Sequence, residues 1–163
     1  MFLGLCSIIF SFILIVLLWM TNHKLADRMT DRQVLTDDER DKLINALLES
    51  GIKCKPEEII KIERLSTGKI VFLEMGKIGV RGSGLKHILE RHQKDFNRQG
   101  ITSNEIPDLL ITAILQDRIV GYQGSREKPR EIYEVVFKNE TYHIAITIAK
   151  NGYIVGANLS SYL

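Results

Sequence analysis

The sequence predicts an α+β chain: an N-terminal transmembrane helix, short helices, then a helix-packed antiparallel β-meander of about four strands. Three observations carry this expectation. Residues 2–20 contain no charged side chain. Between 36 and 116, apart from one strand, apolar residues recur three and four apart, the spacing of a helix face. From 118 onward apolar and polar residues alternate, and Asn151-Gly152 is a strong two-residue hairpin signal.

The first element is the apolar run. Residues 2–20 at about 1.5 Å per residue span roughly the ~30 Å hydrocarbon core of a bilayer. Trp19 stands where an interfacial aromatic belongs. A cleaved signal peptide would need a basic start and a small-residue cleavage site, and neither is visible. Lys24, Arg28 and Arg32 follow the run while no Lys or Arg precedes it. The positive-inside bias therefore predicts a single-pass membrane protein whose C-terminal bulk lies in the cytoplasm. The expected organisation is an anchor over 1–21, a polar tether and helix over 22–51, and the main domain over 52–163.

Thr36-Asp37-Asp38-Glu39 matches a capping box and opens a helix that runs through Ser50, with Leu43, Ile44, Leu47 and Leu48 as its apolar face. Gly51 stops it. Pro56-Glu57-Glu58 predicts a second short helix, with Ile59, Ile60 and Ile62 buried. Residues 69–74, rich in Ile, Val and Phe, read as a strand. Residues 76–84 form a glycine-rich loop. Its glycine spacing and lack of a GKS/T ending exclude a phosphate loop.

Residues 84–96 predict an amphipathic helix with Leu85, Ile88, Leu89, His92 and Phe96 as its buried stripe. His87 and Arg91 lie four apart and off that stripe, so they share a face. An imidazole can move a proton and a guanidinium can hold a phosphate oxygen. A surface His and Arg on a packing helix is the plainer alternative. Residues 103–116 predict a further helix, with Pro107 in its first turn.

The meander follows as strands over 118–122, 131–138, 141–149 and 153–158. Turning at Asn139-Glu140 pairs Tyr133 with Ile146 and Val136 with His143. Turning at Asn151-Gly152 pairs Ile148 with Val155, Thr147 with Gly156 and Ala145 with Asn158. One face then carries Tyr133, Val135, Phe137, Tyr142, Ile144, Ile146, Ile148, Val155 and Ala157, and is the expected core. The other carries Arg130, Glu134, His143, Thr147, Gly156 and Asn158. Side chains alternate with period two, so a one-residue slip would bury the polar set.

Charge is nearly balanced, with 22 basic and 20 acidic residues. Residues 68–163 carry 13 basic and 10 acidic side chains, a mild lean toward an anionic partner. Two cysteines, Cys6 and Cys54, cannot build a disulfide framework. His23, His87, His92 and His143 show no metal-ligand spacing, so neither metal nor cofactor is expected.

Several runs stand in a familiar order: Gly68-Lys-Ile-Val-Phe-Leu-Glu74, Gly84-Leu-Lys-His-Ile-Leu-Glu-Arg-His92, Ile106-Pro-Asp-Leu-Leu110, Gly121-Tyr-Gln-Gly124, Ile132-Tyr-Glu-Val135 and Asn151-Gly-Tyr-Ile-Val-Gly-Ala-Asn158. Through them residues 68–163 resemble the C-terminal toxin domains of bacterial polymorphic and contact-dependent toxins. These belong to the phage- and toxin-associated branch of the barnase/EndoU/colicin/RelE-like ribonuclease superfamily. The resemblance implies helices followed by a four-stranded antiparallel sheet. It also implies metal-independent cleavage of an RNA substrate, in which a 2′-hydroxyl attacks the adjacent phosphate to leave a cyclic phosphate. A cognate immunity protein is the partner it implies, beside the membrane contacted through residues 2–20.

On that reading His87 is the first acid/base candidate and Arg91 the phosphate clamp, with Thr147 and Ser160 or Ser161 as donors. His92 shares the apolar stripe, so packing competes with catalysis for it, and His143 is the alternative second imidazole. Arg126, Lys128, Arg130 and Asn158 are the expected RNA-binding residues. The alternative is an inactive membrane-anchored module that binds RNA or an immunity protein.

Overall fold

The structure, a computed structural model, describes residues 36–125, 127 and 129–161. The expected span over 2–20, the tether over 21–35, Arg126 and Lys128 lie outside the described residues. Among the described residues no helix is long and apolar enough to cross a membrane.

The elements run α1 (Asp37–Glu49), a 3-10 turn (Pro56–Glu58), β1 (Ile59–Arg64), β2 (Ile70–Glu74), α2 (Gly84–Arg98), α3 (Ile106–Gln116), β3 (Ile119–Gln123), β4 (Arg130–Phe137), β5 (Glu140–Ile148) and β6 (Ile154–Leu159). The first two strands pair as a separate antiparallel hairpin, and β3-β4-β5-β6 form a four-stranded antiparallel meander in chain order.

The second short helix expected from Pro56 is a correction. Proline starts a single 3-10 turn, and Ile59, Ile60 and Ile62 then belong to a strand. Their β-branched side chains favour the pleat. The partner β2 is close in sequence, across a turn in which Gly68 takes φ +84° and donates to Leu65 O at 2.8 Å. That pairing outweighs a helix with a sparse apolar stripe.

The β4–β5 turn is a second correction. It uses Lys138-Asn139, both at positive φ (53° and 65°), as a two-residue primed turn requires. Tyr133 therefore pairs with Ile144 and Glu134 with His143, two residues away from the expected register. A two-residue shift leaves each side chain on its expected face. The β5–β6 pairs Thr147 with Gly156 and Ala145 with Asn158 stand as expected, but an irregularity pairs Ile148 with Ile154. Ile154 consequently enters the core, where alternation placed Val155.

One apolar cluster joins α2 and α3 to one face of the meander: Leu85, Ile88 and Phe96 of α2, Leu109, Leu110 and Ala113 of α3, and Tyr133, Val135, Ile144 and Ile146 of the sheet. The β1–β2 hairpin contributes Val71 and Leu73. It also meets the base of β6, where Phe72 N donates to Gly152 O at 3.0 Å and the Phe72 and Tyr153 rings lie 5.5 Å apart. Arg40 of α1 donates to Ile59 O at 2.9 Å.

Candidate functional site

The site begins with where α2 is allowed to start. A Cβ on Gly84 would stand 2.6 Å from Glu74 O and 2.7 Å from the Tyr153 hydroxyl. Only glycine lets the helix begin this close to β2 and to the entry of β6. From that fixed start α2 packs along β6, and His87 comes out one turn later beside the sheet.

Two glycines receive the ring. A Cβ on Gly82 would lie 2.5 Å from His87 Nδ1, and one on Gly156 would lie 3.7 Å from His87 Cδ2. The imidazole therefore rests between the loop ahead of α2 and the open position that Gly156 leaves on the polar face of the sheet. Gly156 pairs with Thr147, and directly opposed Cβ positions are about 5 Å apart, so the ring lies within about 9 Å of the Thr147 Cβ. His87 Nδ1 and Thr147 Oγ1 are both buried and find no hydrogen-bond partner among the described residues.

The row continues across the sheet. Arg130 is one step beyond the Glu131–Ile146 pair, level with Thr147, and it pairs with Gln123 of β3. Arg130 Nη1 donates to Asn158 Oδ1 at 2.8 Å, and Asn158 Nδ2 donates to Gln123 Oε1 at 3.1 Å. Gln123, Arg130, Thr147, Gly156 and His87 thus form one line from edge to edge. The two-residue register correction is what brings Arg130 level with Thr147. Ile132 and Ala145 lie buried beside this line on the same face.

His92 lies half-buried on α2. Burial lowers its pKa below the ordinary imidazole value, and the nearby charges of Arg130 and His87 push the same way. Asp95, whose Oδ2 is 3.8 Å from His92 Nδ1, pulls upward and only partly offsets this.

The expected site residues separate into three places. His87, His92, Arg130, Thr147 and Asn158 belong to the line and its border. His143 and Ser160 lie elsewhere: they line a surface hollow with Asp95, Arg98 and Tyr142. His143 Nε2 is 3.3 Å from Glu134 Oε2, and Glu134 also holds Arg118 at 2.6 Å. Ser160 is tied there through its backbone, donating to His143 O at 2.8 Å. Arg91 is exposed and lines a different hollow with Lys86, Glu90 and Lys94.

Two participants escaped the sequence reading. Gln123 could have been found from strand parity, since it shares a face with Arg130. Gly82 had no local signal, because its closeness to His87 depends on the path of the loop.

Among the described residues no group of three or more His, Cys, Asp or Glu side chains could hold a metal ion. No protein-family model and no curated protein matches the chain. Chemically, the line and its border offer two imidazoles, a guanidinium, two amides and a hydroxyl around an open glycine. That set can move protons and hold an anion.

Proposed function

We propose that the chain is a membrane-tethered, metal-independent endoribonuclease. The observation that supports this reading best is the seating of His87 against Gly156, level with Thr147 and Arg130. In the proposed reaction the 2′-oxygen of a ribose attacks the neighbouring phosphorus, and the bond to the 5′-oxygen breaks. A neutral imidazole takes the 2′ proton and a protonated one returns a proton to the leaving oxygen. The products are a 2′,3′-cyclic phosphate and a 5′-hydroxyl, with no co-reactant.

His92 suits the base, since its lowered pKa keeps it neutral near pH 7. His87 suits the acid. With Nδ1 buried, its Nε2 is the nitrogen left to meet the leaving oxygen. Arg130, level with Thr147 and near enough to His92 to lower its pKa, would hold a phosphate oxygen, whereas Arg91 opens onto a different hollow.

The test is cleavage of total RNA by the purified full chain in EDTA. Cyclic phosphate ends are expected, and His87→Ala should lower the rate by at least ~10²-fold. A requirement for added divalent metal, or near-normal cleavage by His87→Ala, overturns the assignment. No cleavage together with retained RNA binding would make the chain an inactive binding module.

A further inference from the structure

The loop between β2 and α2 ends in a knob that serves no purpose in the core. Gly82 N donates to Gly79 O at 2.8 Å, closing a turn with Val80 and Arg81 at its corners. Below it Lys77 and Ser83 exchange two backbone hydrogen bonds, each 2.9 Å. Gly79 N is held by Glu90 Oε2 at 3.0 Å, which ties the turn to α2. The knob is therefore well fixed, yet it holds apolar side chains out in water. Val80 is 97% exposed, Ile78 63% and Met75 38%. Three such residues within six positions form a patch rather than the scattered apolar surface of an ordinary protein.

Cations border the Ile78 and Val80 side of the patch, while Glu58 stands near Lys86 on the Met75 side. Lys77 and Arg81 flank Ile78 and Val80 in the loop, and both are exposed. The hollow beside Ile78 carries Lys86, Arg91 and Lys94 against one carboxylate, Glu90, which is already turned to the Gly79 N–H. The exposed aliphatic tips of Ile78 and Val80, flanked by Lys77, Arg81, Arg91 and Lys94, complement an anionic bilayer: the tips enter the acyl boundary while the cations meet phosphates. Single-stranded RNA would instead favour aromatic platforms for its bases, and the patch has none. The uncharged run over 2–20 stands a short way before α1 in sequence.

We propose that the knob around Val80, with Lys77, Arg81 and Lys86, is a second membrane contact: a docking surface for anionic lipid, separate from any anchor. It does not depend on whether the chain cuts RNA.

The experiment uses the full chain reconstituted into vesicles. The protein has one tryptophan, so Trp19→Phe with Val80→Trp leaves the indole at the knob as sole reporter. Brominated acyl chains should quench that indole by about twofold or more in vesicles containing phosphatidylglycerol, and far less in pure phosphatidylcholine. Adding Lys77→Glu and Arg81→Glu, or raising salt, should abolish the difference. Equal emission with brominated and plain anionic lipid overturns the proposal. Quenching that ignores both lipid charge and the Glu substitutions also overturns it. An indole shifted by a short RNA but not by lipid assigns the surface to RNA, with the same consequence. Near-UV circular dichroism matching the parent chain keeps a folding defect out of the comparison.

Discussion

For the individual side chain, the decisive contrast lies between His92 and its neighbours. Burial and nearby positive charge hold its pKa low, so the ring is unprotonated at neutral pH and can accept a proton. In the proposed reaction, protonating it as pH falls would remove the base, so the acid limb of kcat/KM should lie below the ordinary imidazole pKa of about 6.5. Asp95 favours the charged ring, so Asp95→Asn should move that limb to still lower pH, whereas Arg130→Ala should move it upward. A pH–rate series on the three proteins checks both directions. An acid limb unmoved by either change would remove His92 from the base role. The sequence showed His92 on the apolar stripe of α2, and that stripe is real. What it could not show is Arg130 coming near from β4, because a contact across the sheet depends on register.

Among the elements, the junction of the β1–β2 hairpin with the meander turns on one residue. A Cβ at Gly152 would stand 1.9 Å from Ile70 O, and the residue has φ +90°. Gly152→Ala must therefore push β2 off the base of β6 or break the Phe72 N–Gly152 O bond. It should destabilise the domain by about 2 kcal/mol or more, read as a lower urea midpoint. Asn151-Gly152 marked the place of a turn, but not its type: Ala149 N donates to Tyr153 O across a three-residue loop, and only Gly152 of that loop takes positive φ. The Lys138-Asn139 turn was not legible, since lysine seldom takes a left-handed backbone and Asn139-Glu140 looked equally apt. The isoleucines after Pro56 misled for a related reason. A short apolar run suits helix or strand, and the choice was made by partners ten to fifteen positions later, Phe72 for Ile62 and Glu74 for Ile59.

In the molecule as a whole, α2, α3 and the sheet share one core, and Phe96 is fully buried within it. Phe96→Ala should cost about 3–5 kcal/mol, a large share of the roughly 5–15 kcal/mol that holds a domain together. Denaturant titration should show a matching loss of midpoint, and a drop below about 1 kcal/mol would mean α2 is loosely seated. The α+β class and the polar sheet face could be read from alternation. The separate two-stranded sheet could not, because β1 was hidden in the expected helix. The order of the strands carries a temporal consequence. His87 emerges from the ribosome well before Gly156, the position it must meet. At about 5–20 residues per second that gap lasts several seconds. Until the final strand adds to the sheet, a nascent chain has its imidazole but no opposing row, so whatever this surface does begins only after nearly all of the domain has been synthesised.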